Sequence, residues 1–99
     1  MKLIDTEFPV LAFVDIETTG GNSDRDRITE IGIKTLANGQ ENAWECLINP
    51  ETFIPQSIQR LTGITLDMVA HRPPFDELAL QIKKELEGKI FVAHNARFD

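Results

Sequence analysis

The sequence has a single cysteine, Cys46, so it can neither close an internal disulfide nor pair thiolates around a metal, which agrees with a reducing compartment. Cys46 is expected in the core. Long hydrophobic runs are also missing. The opening stretch MKLIDTEFPV is too short in apolar residues for a signal peptide, and no segment approaches a membrane span, so a cytoplasmic protein without membrane contact is expected. Basic residues are few: ten Lys and Arg stand against sixteen Asp and Glu, giving a formal net charge of -6. That balance argues against a broad basic surface for phosphates. It leaves nucleic acid open, because acidic clusters can meet phosphates through bound divalent cations. No low-complexity tract, internal repeat or interdomain linker is present. With 99 residues, 41% of them hydrophobic and 26% charged, the chain has the composition of one soluble globular domain with a small core.

Residues 9 to 16 contain the apolar run Val10-Leu11-Ala12-Phe13-Val14 and read as a first strand, followed by the polar connection TTGGNSDRDR. A second strand is expected from near Arg27. Asn38-Gly39 is the dipeptide favoured in a type I′ hairpin turn. Placing Ala37 opposite Gln40 pairs Thr35 with Asn42, Ile33 with Trp44, Ile31 with Cys46 and Thr29 with Ile48, which puts the apolar partners on one core-facing side. The segment IPQSIQRLTGITLDMVA suggests two short helices, the first ended by Gly63 and the second capped by Thr65. After Pro73-Pro74 a helix over about 75–87 is expected to bury Phe75, Leu78, Ala79, Ile82 and Leu86, with Asp76 and Glu77 in its first turn and Gly88 at its end. KIFVAHN reads as a fourth strand and ARFD as the opening of another helix. The order predicts a mixed α/β sheet in which the fourth strand runs parallel to the first. Ligands in such sheets sit beyond the carboxyl ends of strands, where Asp15 and Asn95 fall.

Alternation along a strand sends Asp15 and Glu17 to one face and Ile16 to the other. Two converging carboxylates near a core repel and lose solvation, which favours protonation of one unless a cation joins them. Mg²⁺ or Mn²⁺ accepts such oxygen donors together with water and substrate phosphate. The spacing alone is weak evidence, because Asp24-x-Asp26 and Glu85-x-Glu87 repeat it and read as a solvated loop and a helix face.

Together, FVDIETTG, ITEIGI, IPQSIQRLTGITLDMV and VAHNARFD resemble, in order, the motifs of the DEDD superfamily of 3′-5′ exonucleases, in the branch of the bacterial DNA polymerase III epsilon proofreading subunit. The resemblance covers most of residues 8–99. It implies a ribonuclease H-like α/β mixed sheet with flanking helices, here truncated after the fourth strand as the N-terminal part of one exonuclease domain. It also implies metal-binding catalytic carboxylates at Asp15, Glu17 and Asp99, and two Mg²⁺ or Mn²⁺ ions acting in phosphodiester hydrolysis.

By the same resemblance Thr18, Thr19 and Gly20 contact the terminal nucleotide's sugar, Leu61, Gly63 and Ile64 frame its base, and Asn95 and Phe98 line the strand's path. Asn95 could equally cap the final helix, and Phe98 could be ordinary core. The family's histidine base and fourth carboxylate match neither His71, read as a surface residue, nor His94, read as structural. The implied substrate is the 3′ end of single-stranded DNA, released as nucleoside 5′-monophosphates, with a DNA polymerase subunit as a partner. These 99 residues alone are then expected to have little or no activity, and an unpaired apolar fourth strand should promote self-association. A non-catalytic partner-binding module and a nuclease acting on short RNA are the alternatives.

Overall fold

The computed structural model describes residues 9–93. Its strands are β1 (Leu11–Thr18), β2 (Ile28–Ala37), β3 (Gln40–Leu47) and β4 (Ile90–Ala93), and its helices are α1 (Gln56–Thr62), α2 (Leu66–Val69) and α3 (Phe75–Leu86). The strands form one sheet in the order β3-β2-β1-β4. β1–β2 and β2–β3 are antiparallel, whereas β4 runs parallel to β1 with Leu11 beside Ile90 and Val14 beside Ala93. This is the mixed sheet that the order of elements predicted.

The β2–β3 hairpin turns through Asn38 at φ 50° and Gly39 at φ 78°, the two positive angles that a type I′ turn needs. Its register matches the expected pairs from Ala37–Gln40 to Ile31–Cys46. Ile48 lies just past β3, and its N–H still reaches the Thr29 carbonyl at 2.7 Å. β1 extends two residues beyond the expected end at 16, because Glu17 and Thr18 remain paired with β2 although the apolar run has stopped.

One face of the sheet is the core. Ala12, Val14, Ile31, Ile33 and Ile48 pack there against Ile82 of α3, with Ile16, Trp44, Cys46, Leu78 and Leu86 around them. Full burial of each valine or isoleucine side chain among them contributes about 1.5–3 kcal/mol. The apolar stripe of α3 is narrower than expected: Leu78, Ile82 and Leu86 form the row that meets the sheet, whereas Phe75 and Ala79 occupy the neighbouring row and remain exposed. The helix ends at Leu86, and Gly88 adopts φ 73° before β4 begins.

The helical segment between β3 and α3 has its own small core of Ile54, Ile64 and Val69, packed with Ile58 and Leu47. Gly63 ends α1 in the left-handed region, its N–H donating to the Gln59 carbonyl at 2.8 Å, and the Thr65 hydroxyl caps α2 by accepting from the Met68 N–H. Asn49 ties this unit to the approach of α3: its backbone N–H donates to the Pro73 carbonyl at 3.0 Å and its side-chain amide to that of Ala70 at 3.3 Å.

Candidate active site

Strand alternation and the observed register assign Phe13, Asp15 and Glu17 to the sheet face opposite the core. Asp15 pairs with Gly32, and a Cβ on Gly32 would meet nothing nearer than the Asp15 carbonyl oxygen at 3.9 Å, so the surface beside Asp15 is open. A trough runs over this face, lined among others by Phe13, Asp15, Lys34, Glu45 and Val92. Burial, and then the charge of Asp15, raise the pKa of Glu17 above the ordinary glutamate range.

Past Glu17 the register slips, so that Thr18 pairs with Ile28, and the chain leaves the sheet in a tight turn. The Thr18 hydroxyl donates to the Gly20 carbonyl at 2.5 Å. Thr19 is buried, its N–H donating to the Arg27 carbonyl at 2.8 Å and its hydroxyl to Asp26 Oδ1 at 2.9 Å. Both donors of Thr19 are thus used inside the connection, which leaves its carbonyl for any outside partner. Gly20 lies so close to Asp26 that a Cβ would meet Oδ2 at 2.6 Å.

Leu61, Gly63 and Ile64 sit on a different element, at the end of α1 and just beyond it. Leu61 is 81% exposed and free to meet a ligand, whereas the Ile64 side chain is buried in the small second core. Any framing by Ile64 would therefore act through its backbone or through packing. Asn95, Phe98 and Asp99, like His94, lie outside the described residues. Among the described residues no three carboxylate, histidine or cysteine side chains converge as a metal-holding group.

Two carboxylates have more specific places than the sequence suggested. Glu30 pairs directly with Glu17 across β1 and β2. Burial raises its pKa, with further contributions from the charges of Glu45, Glu17 and Asp15. Its signal was present in ITEIGI, since the hairpin register and period-two alternation send Glu30 to the Asp15 face. Asp26 departs from the expected solvated loop: it is half-buried and accepts from Thr19 and from the Asn22 N–H, and these two bonds lower its pKa.

The family model described as Exonuclease (RNase_T) matches residues 12–99. The 3′-5′ exonuclease DinG of Staphylococcus saprophyticus is 42% identical over 92% of this chain, which spans 10% of that relative. The DNA polymerase III subunit epsilon of Treponema pallidum is 38% identical over 86% of this chain, which spans 40% of that protein. Among solved structures, Exonuclease X in complex with 5′ overhanging duplex DNA superposes with a TM-score of 0.75 at 29% identity, over 90% of this chain and 51% of that one. An exonuclease I from Methylocaldum szegediense shares the fold with a TM-score of 0.79 at 24% identity, over 92% of this chain and 21% of that one.

Proposed function

This chain belongs to the exonuclease family, and from that premise we propose that it forms part of a metal-dependent 3′-5′ exonuclease that shortens single-stranded DNA to nucleoside 5′-monophosphates during proofreading or repair. The observation that carries the reading is the Asp15–Glu17 pair at the carboxyl end of a central strand, on the face opposite the core, with the Glu17 pKa raised partly by its neighbour. Such a pair is relieved by a cation, and its oxygens are the hard donors that Mg²⁺ and Mn²⁺ take. Asp15 and Glu17 would hold two such ions together with Asp99. When bound, the ions supply a water of lowered pKa and positive charge toward the scissile phosphate.

The remaining residues bind and orient the substrate. The turn of Thr18, Thr19 and Gly20 meets the terminal sugar, exposed Leu61 gives the unstacked base an apolar surface, and Gly63 fixes the direction in which the chain leaves α1. By the family resemblance, Asn95 and Phe98 would contact the bound strand. A terminal base must be unstacked to reach these groups, which favours single strands. The match to a DNA polymerase III subunit and the likeness to an exonuclease solved with duplex DNA support DNA as substrate and a DNA polymerase as partner.

The test compares 5′-labelled oligonucleotides of one sequence, as single-stranded DNA, blunt duplex and RNA, with a protein carrying the whole exonuclease domain in Mn²⁺. Stepwise 3′ shortening that is fastest on single-stranded DNA supports the proposal. Faster shortening of RNA would move the function to RNA trimming, and inert protein on all three would favour a binding module.

A further inference from the structure

We propose that Asp26 is a positioning residue for this exonuclease reaction: its carboxylate latches the Thr18–Gly20 turn at the end of β1 and thereby fixes how the turn meets the terminal nucleotide. The inference rests on the proposed function and adds a residue to it.

The two carboxylate oxygens have separate tasks. Oδ1 accepts from the Thr19 hydroxyl at 2.9 Å, and Oδ2 accepts from the Asn22 N–H at 2.8 Å. The Thr19 oxygen in turn accepts from the Arg27 N–H at 3.0 Å, and the Asp26 N–H returns to the Asn22 carbonyl at 2.7 Å. With its oxygen accepting from Arg27 and its proton given away, the hydroxyl at 19 needs an acceptor at 26. The amide at 22 needs a second one. An ionised carboxylate provides both, whereas an asparagine side chain provides one acceptor and one donor. Gly20 leaves the space that Asp26 fills.

Holding β1 to β2 does not require this arrangement. The two strands already share a ladder along the whole of β1, and residues 21–25 of the connection are exposed. What the latch adds is a single conformation for the three residues next to Glu17. A substrate that meets an already ordered turn avoids the entropy of ordering it on binding.

The test is steady-state hydrolysis of 5′-labelled single-stranded DNA by the protein carrying the whole domain, with variants at both ends of the bond. Asp26→Ala is expected to raise KM about tenfold while kcat stays within about twofold, because the lost interaction serves binding. Asp26→Asn should lie between Asp26→Ala and wild type. Thr19→Val should raise KM at least as much as Asp26→Ala, while the Thr19→Val, Asp26→Ala double variant should be no worse than Thr19→Val alone. Faster amide exchange at Asn22 and Arg27 in Asp26→Asn would report the same loosening without turnover. Unchanged KM in both Asp26 variants, or additive effects in the double variant, would overturn the inference while leaving the exonuclease reading intact. An inactive wild-type protein would instead overturn that reading and the inference with it.

Discussion

Replacing Gly63 by alanine isolates a single physical effect at the end of α1. Gly63 adopts φ 78°, and a Cβ built on it would meet nothing within 4 Å, so added bulk costs nothing through contact and the penalty is confined to the backbone. Holding an L-residue in the left-handed region costs about 1–2 kcal/mol. A domain of this size loses about 4–8 °C of melting temperature for each kcal/mol, so Gly63→Ala should melt roughly 4 to 16 °C lower. Gly63→Asn should lose about half as much, since asparagine tolerates this region better. Gly32→Ala is the contrast: its nearest contact would be an ordinary 3.9 Å and its backbone is not left-handed, so the left-handed penalty is absent. Thermal unfolding of the three variants by circular dichroism measures this. Equal melting of Gly63→Ala and wild type would show that α1 does not end in the left-handed turn described, and would undo the placement of Leu61 and Ile64.

Two further predictions concern the sheet. The raised pKa of Glu30 means that the folded state takes up its proton before the unfolded chain does, so its ionisation destabilises the fold as pH rises from the ordinary value of 4.5 through the raised one. Glu30→Gln should therefore be more stable than wild type at pH 7, with the advantage shrinking as pH falls to about 4; an advantage that grows on acidification would contradict the placement of Glu30 beside Glu17. The second concerns β4, where Ile90, Phe91 and Val92 are 49%, 47% and 37% exposed and no strand among the described residues pairs with its outer edge. The 99-residue chain should associate in sedimentation at tens of micromolar, and Val92→Lys should suppress this. A clean wild-type monomer would refute it.

Where a local rule acts alone, the sequence was sufficient. Asn38-Gly39 specified both the turn and the register of the hairpin, because side-chain alternation leaves only one pairing with Ile31, Ile33, Trp44 and Cys46 on the same face. Gly63 and Thr65 marked the ends of two short helices for equally local reasons. The misses came from contacts made across the chain. β1 continues under Glu17 and Thr18 because β2 supplies partners, and nothing within β1 announces that. Phe75 and Ala79 fit a helical stripe, but the sheet receives only one row of α3. Asp26 looked like a solvated loop acid, since its partners Thr19 and Asn22 are brought to it only when the connection folds back. The shared sheet face of Asp15 and Glu17 was legible from alternation, while that of Glu30 required the strand register as well.

The most direct test of the central claim is release of nucleoside 5′-monophosphate from single-stranded DNA in Mn²⁺ by the protein carrying the whole domain, compared with its Asp15→Ala and Glu17→Ala variants. Metal-assisted hydrolysis predicts stepwise 3′ shortening by the wild type and a loss of at least about a hundredfold in each variant, with folding retained, as expected when a ligand to the catalytic ions is removed. Shortening that persists at the wild-type rate in both variants would show that these two carboxylates do not perform the chemistry assigned to them.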